Sequence, residues 1–210
     1  MILALASTRL LSAEWQPLFD GKSLAGWVVT PFAGAGEITA RDGVLVLNQG
    51  ILTGIHRTNP PARVDYEVSL EARRVLGNDF FCGLTFPVLD SHATLIVGGW
   101  GGTIVGLSSI DRFDASMNET TKFMSFDKNK WYKIRLRVTP ERIAAWIDDE
   151  QVVDFEIKSH KISIRVEVQA SEPLGIASWQ TSAALRNIRL RRLDAAQTAP
   201  ASEGQVPARE

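Results

Sequence analysis

The chain has a single cysteine, Cys82, so no intramolecular disulfide can form and no cysteine-rich metal site can be built. Cys82 sits in the apolar run FFCGLTF, where a free thiol behaves as a small buried hydrophobe, and no base stands near it in sequence to activate it. Charge of one sign is also lacking: 23 Lys and Arg face 24 Asp and Glu, for a net charge of -1. This leaves no electrostatic footprint for nucleic acid and no polybasic patch for a membrane surface, so neither partner is expected. The apolar N-terminal segment MILALASTRLLSA is too short to span a bilayer, and no membrane span is expected. The segment ends in small residues at the spacing of a signal-peptidase site but lacks a basic leader region. Residues 1–14 are therefore read as a leader remnant or a disordered tail, with a secreted or periplasmic location in prospect. Long stretches of helical periodicity are missing, and so is any repeat of fixed period.

What the chain does have is alternation. In VDYEVSLEAR, Val64, Tyr66, Val68 and Leu70 share one face, and Asp65, Glu67, Ser69 and Glu71 the other. WYKIRLRV sets Tyr132, Ile134, Leu136 and Val138 against Lys133, Arg135 and Arg137, and ISIRVEVQ sets Ile162, Ile164, Val166 and Val168 against Ser163, Arg165, Glu167 and Gln169. Period two with one apolar face means half-buried strands. GVLVLN, DFFCGLTF, ATLIVG, RIAAWID, QVVDFEI, LGIASW and LRNIRLRR are further strand candidates, while SSIDRFDASMNE has room for one turn of helix. Turn signals at 41–43, 59–61, 76–79, 139–141 and 148–150 separate the runs. Many short strands with frequent turns predict an all-β sandwich or barrel over residues 15–193. The stretch 194–210, rich in Ala, Pro, Gln and Glu, cannot bury enough apolar surface to offset its ordering entropy and is expected to be disordered.

Four segments carry a family resemblance. WQPLFDGKSLAGW near the start, ARDGVLVL at 40–47, KWYKIRLRVTPERIAAWIDDEQVVDF at 130–155 and LRNIRLRRL at 185–193 resemble elements of the 3-keto-disaccharide hydrolase domain, also described as 3-keto-glucoside 1,2-lyase or 3-keto-2-hydroxy-glucal hydratase. The resemblance covers Trp15 to Leu193 and implies a concanavalin A-like jelly roll of two antiparallel sheets that binds sugar on a concave face. In the opening motif, Phe19, Leu24 and Trp27 would pin the turn to the core, with Asp20 and Gly21 shaping it. The activity implied is removal of the C2 proton of a glucoside oxidised at C3, loss of the C1 group and addition of water. This chemistry needs a poised base and a partner for the enolate. A saccharide or glycoside is the implied partner, and no cofactor is expected. One segment departs from the family pattern. Where relatives carry an arginine and then a glutamate-bearing strand, this chain has Pro87 and the apolar ATLIVG. A non-catalytic carbohydrate-binding or interaction module with the same fold is therefore the alternative to a hydrolase or lyase.

The candidate residues follow. Arg165, Glu167 and Gln169, two apart in sequence, form a row that could hold a base or bind hydroxyls; Glu167 is taken as a catalytic candidate, Arg165 and Gln169 as substrate-binding. His92 in LDSHAT is a second candidate base, and Asp79, which leads the departing segment, a substrate-binding one. Trp100 in GGWGG has four glycines for neighbours, which favours an exposed ring suited to stack on a sugar, with a folded-back core ring as the competitor. The tryptophans at 15, 27, 131, 146 and 179 are read as core or sheet-edge residues, and Glu67 and Glu71 as a solvent-facing strand edge. His56 and His160 have no metal-ligand partners at the usual spacing, and DRFDASMNE lacks the glycine and register of a calcium loop, so no metal is expected.

Overall fold

The computed structural model describes residues 14–59 and 61–194, so the leader segment other than Glu14 and the tail other than Asp194 lie outside the described residues. Fifteen strands follow in chain order: β1 (Gln16–Pro17), β2 (Val28–Val29), β3 (Ile38–Arg41), β4 (Val44–Leu47), β5 (Leu52–Arg57), β6 (Tyr66–Leu76), β7 (Cys82–Val88), β8 (Ser91–Gly99), β9 (Ile104–Ser108), β10 (Lys122–Phe123), β11 (Tyr132–Val138), β12 (Arg142–Ile147), β13 (Glu150–Glu156), β14 (Leu174–Trp179) and β15 (Ser182–Arg192). They form two antiparallel sheets. One is ordered β13-β12-β11-β6-β15-β4-β3 with β1 added on β15, and the other β10-β9-β8-β7-β14-β5-β2. Strands distant in sequence lie side by side in both, which makes the fold a concanavalin A-like jelly-roll sandwich, as the alternation and the resemblance implied.

The inward rows of the two sheets make the main core. Tyr66, Val68, Leu70 and Ala72 of β6 and Ile134, Leu136 and Val138 of β11 meet Leu84 and Phe86 of β7, Leu95 and Val97 of β8, and Leu107 of β9. The opening motif behaves as its composition predicts. Phe19 and Trp27 are buried in this core, and Leu24 packs against it. The Trp27 Nε1–H donates to the Leu18 carbonyl at 2.7 Å. The Asp20 carboxylate accepts from the backbone N–H groups of Lys22 and Ser23, both at 2.8 Å, and these bonds hold its pKa at about 2.

The inner strands of the seven-stranded sheet are buried on their other face as well. Every residue of β7 and β9 is buried, and a second apolar cluster of Leu52, Phe80, Ile96, Ile104, Val168 and Ala177 lies beyond the sheet. Segments 109–121 and 162–172 cover this face. Some of the strand residues beneath them are small. At Gly106 a Cβ would stand 3.0 Å from the Ala115 carbonyl oxygen, so glycine is what lets the loop backbone lie on the strand.

This covering layer corrects one expectation. ISIRVEVQ is not a strand: Ile162 makes one isolated bridge to Ile110, and Val166–Ser171 is a 3-10 helix. Its apolar residues do not share a face, because Val166 is 79 % exposed while Val168 is buried. The alternation was real, but the segment is placed by the apolar surface it covers and not by its propensity. SSIDRFDASMNE forms a bridge and turns and no helix, held by Asp114 and Asn118 bonding to neighbouring Ser116, Thr120 and backbone groups.

Among the described residues no loop segment like these covers the outer face of the other sheet, which is sheathed by side chains. Glu67, read from sequence as an edge residue, lies in the interior strand β6 and is 0 % exposed. Arg135 of β11 donates to it at 3.0 Å, and Arg137 of β11 and Arg191 of β15 each donate at 2.7 Å. Trp146 lies under Arg135 at 3.7 Å, Trp131 between Arg186 at 4.2 Å and Arg73 at 4.6 Å, and Trp15 beneath Arg189 and Arg191. Arginine stems and indole rings thus shield the sheet from water.

Two predictions follow from this packing. Burial raises the Glu67 pKa, but the bonds and charges of Arg137 and Arg191 outweigh burial and leave it lowered. The resulting stabilisation is complete above the ordinary carboxylate range, about pH 4, and is lost as pH falls through the lower folded-state value. Glu67→Gln should destabilise the fold by about 2–4 kcal/mol in urea titrations at pH 7, less than a wholly buried pair because the arginines keep some water. It should also flatten the acid limb of the stability curve; an unchanged acid limb would show that the pairing is weak. Cys82 is fully buried, with its pKa pushed up by burial to about 12. A thiol reagent in excess should modify it only as fast as the protein opens, and instantaneous labelling under native conditions would contradict its placement.

Candidate functional site

The covering layer leaves a gap over the seven-stranded sheet. There a pocket of about 300 Å³ opens, with Thr94 and Ile96 of β8 and Ser108 of β9 among its lining residues. Its walls come from four separate places: Asp79 and Phe80 ahead of β7, Trp100 in the turn after β8, Trp179 at the end of β14, and Arg165, Glu167 and Val168 in the covering segment. Alternation explains the floor. Leu95 and Leu107 face the core, which turns Thr94, Ile96 and Ser108 outward. The Thr94 hydroxyl is paired with that of Thr85 at 2.9 Å. The Ser108 hydroxyl lines the pocket, is buried, and has no hydrogen-bond partner.

Four of the six candidate residues meet here: Asp79, Trp100, Arg165 and Glu167. Trp100 is 41 % exposed, which favours the open ring over the core ring. Arg165 is held by carboxylates on two sides. It donates from Nη2 to Glu167 at 2.7 Å and from Nη1 to Asp114 at 3.0 Å. The Arg165 bond lowers the Glu167 pKa, so this carboxylate is a weak base. Asp79 accepts the Phe80 N–H at 2.7 Å on one oxygen and a longer 3.4 Å contact from the Gly101 N–H on the other.

Two candidates fall elsewhere. His92 faces Glu172 at 3.5 Å, beside the hairpin between β7 and β8, and is not among the residues lining the pocket. Burial lowers its pKa against the opposing pull of Glu172. Gln169 is exposed on the 3-10 helix and does not line the pocket, because the row it was assigned to is not a strand. Trp179, expected in the core or at an edge, packs against the second apolar cluster and also forms a pocket wall. Thr94 and Ser108 were not distinguishable in sequence, since only the strand pairing shows which hydroxyls turn outward under the gap.

Two larger hollows, of about 420 and 590 Å³, lie near His160 and near Trp15. The Phe155 ring packs on His160 at 4.9 Å, and both Arg189 and Arg191 lie over Trp15. His160 bonds Asp111 at 2.7 Å and lies 3.4 Å from Glu119, which ties the covering loop down. Among the described residues no group of three His, Cys, Asp or Glu is arranged to hold a metal ion, and no helix is long and apolar enough to cross a membrane.

The fold and the pocket define a jelly-roll domain of the kind found among carbohydrate-binding modules and glycoside-processing proteins. The chain matches the 3-keto-alpha-glucoside-1,2-lyase-like domain over residues 14–191 and belongs to that family. Solved structures of low identity share the fold. A candidate glycosyl hydrolase from Parabacteroides distasonis is 12 % identical with a TM-score of 0.55, covering 86 % of this chain and 94 % of its own. The carbohydrate-binding module CBM66 from Bacillus subtilis is 15 % identical with a TM-score of 0.50, over 79 % of this chain and 95 % of its own. Domain 4 of the extracellular arabinanase AbnA from Geobacillus stearothermophilus, in complex with arabinotriose, is 16 % identical with a TM-score of 0.50, over 82 % and 85 %. No curated protein matches the chain by sequence.

Proposed function

We propose that the domain binds a saccharide in the pocket between Trp100 and Trp179, and that it recognises the sugar without cleaving it. The observation that carries this reading is the makeup of the pocket. The strands beneath it contribute Thr94, Ile96 and Ser108 but no carboxylate, while two indole rings stand in the walls. Rings supply faces for the apolar side of a sugar, and an unpartnered buried hydroxyl calls for a polar group from the ligand. The neighbouring module CBM66 is a carbohydrate binder by description, which supports the same reading.

Family membership supports a second reading, a lyase acting on 3-keto-glucosides. Abstraction of the C2 proton needs a base, and Asp79 and Glu167 are the carboxylates lining the pocket. Glu167 is occupied by Arg165. Asp79, with one loosely held oxygen, would be the base, and Arg165 the charge partner of the enolate.

The two readings separate in one experiment. The protein is titrated calorimetrically with p-nitrophenyl α- and β-glucosides and their 3-keto forms while nitrophenol release is followed. Binding without release supports recognition, release abolished by Asp79→Asn supports the lyase, and neither binding nor release would overturn both. Trp100→Ala should leave the melting temperature nearly unchanged and weaken binding tenfold to a hundredfold, about 1.4–2.8 kcal/mol. A large drop in melting temperature would instead make the ring a structural element.

A further inference from the structure

Trp100 stands in the pocket wall on a backbone that does not favour it. Its φ is +49°, a left-handed conformation that costs a residue with a Cβ, and Gly98, Gly101 and Gly102 around it have φ of +76°, +81° and +103°. Such a turn offers few side chains to fix the ring, so something outside it must.

We propose that Arg74 is the positioning residue of this pocket: its guanidinium, reaching from the other sheet, grips the Gly98–Gly102 turn and sets where the Trp100 ring stands. The proposal rests on the reading of the pocket as a saccharide site. Arg74 lies in β6 at an inward position, two residues on from Ala72, and is buried. Its guanidinium lies over the Phe81 ring at 5.4 Å. Its Nη2 donates to the Gly102 carbonyl at 2.9 Å and makes a longer 3.4 Å contact with the Gly98 carbonyl, so the two contacts bracket Trp100. Asp79 holds the same turn from outside through the Gly101 N–H at 3.4 Å, and its charge opposes the loss of basicity that burial imposes on Arg74.

The glycines fit this role. A Cβ at Gly98 would stand 2.7 Å from Arg74 Nη2, and one at Gly102 3.0 Å from Nη1 and Nη2. The guanidinium thus lies against both glycines, which are required by their φ and, at Gly102, by the Asn78 carbonyl oxygen 2.9 Å from a would-be Cβ. Gly101 has nothing within 4 Å of its would-be Cβ, so its requirement is conformational alone. A guanidinium suits the task because it is planar and its Nη2 holds two N–H groups in fixed directions, one toward each carbonyl, where a lysine ammonium is a flexible point charge.

The test is a double-mutant cycle with a ligand-independent reporter. Arg74→Met keeps the stem packed on Phe81 and removes the donors; Arg74→Lys keeps the charge and removes the fork, and serves if the first variant does not fold. The Trp100 indole N–H resonance is assigned by its loss in Trp100→Phe. In Arg74→Met it should shift or broaden while the Trp27 resonance, from the core, stays. Affinity for the tightest-binding of the p-nitrophenyl glucosides and their 3-keto forms should fall tenfold or more in the parent background. In the Trp100→Ala background it should fall less than twofold, because the ring that Arg74 positions is already gone. Equal losses in both backgrounds, or an unmoved Trp100 resonance, would overturn the proposal. If the unaltered protein binds none of these glucosides, the saccharide reading fails, and the Trp100 resonance alone decides whether Arg74 sets the turn.

Discussion

The inner strands β7 and β9 of the seven-stranded sheet are buried on both faces, and the arrangement of the pocket follows from that constraint. A sandwich needs to cover only the two faces that meet. Here much of the far face of one sheet is also dry, because segments 109–121 and 162–172 fold over it and Val168 of the second packs with Ile96 and Ile104 of the strands. Loop backbone brought this close must have its polar groups answered. The Ser109 and Ser163 backbones exchange hydrogen bonds at 2.8 and 3.1 Å, the Asp111 carboxylate accepts the Lys161 N–H, and Arg165 bridges Asp114 and Glu167. The pocket is where that cover stops. Its polar wall is therefore made of the residues that fasten the cover down, which explains why Arg165 and Glu167 are committed to each other before any ligand arrives.

The two sheets solve the same exposure problem in opposite ways. The seven-stranded sheet recruits chain segments. The eight-stranded sheet uses arginine and tryptophan, with Glu67 neutralising part of the charge. That lattice accounts for Trp131 and Trp146 without any ligand, since arginine guanidinium groups already lie over their rings. Aromatic content alone would have spread suspicion over all six tryptophans. Trp27 is in the core and Trp15, Trp131 and Trp146 lie under arginines, which leaves the pocket rings, Trp100 and Trp179.

Legibility in the sequence follows the same division only in part, since β7, β8 and β14 of the seven-stranded sheet stand out as apolar runs. Strands with one dry face, β6 and β11, announce themselves by alternation. β9, dry on both faces, reads IVGLS and carries no such signal, and β5 likewise escaped notice. The covering segment 162–172 failed in the opposite sense: it alternates without being a strand, since its contacts are with a surface and not with a partner strand. Of the site, Trp100 was visible because four glycines isolate it, and Asp79, Arg165 and Glu167 because they are polar. His92 and Gln169 were equally polar and equally plausible, and only the path of the chain separates them from the pocket. Arg74 is legible in the same way as the strand that carries it. Continuing the alternation of β6 from Leu70 through Ala72 places it inward, and a buried arginine at a core position demands carbonyl or carboxylate partners.

The placement of Arg74 also joins the two halves of the fold. It belongs to β6 in the eight-stranded sheet, while the carbonyls it binds belong to the turn after β8 in the other. The stacking of the sheets is thereby transmitted to a turn at the rim of the pocket. A change in core volume between β6 and β7 would move the guanidinium, and with it the wall carrying Trp100, although no residue lining the pocket had been altered. Core packing in this domain consequently bears on the shape of the pocket wall as well as on stability. Phe81, which supports the Arg74 guanidinium and meets Phe126 edge-on at 5.2 Å, is where those two roles coincide.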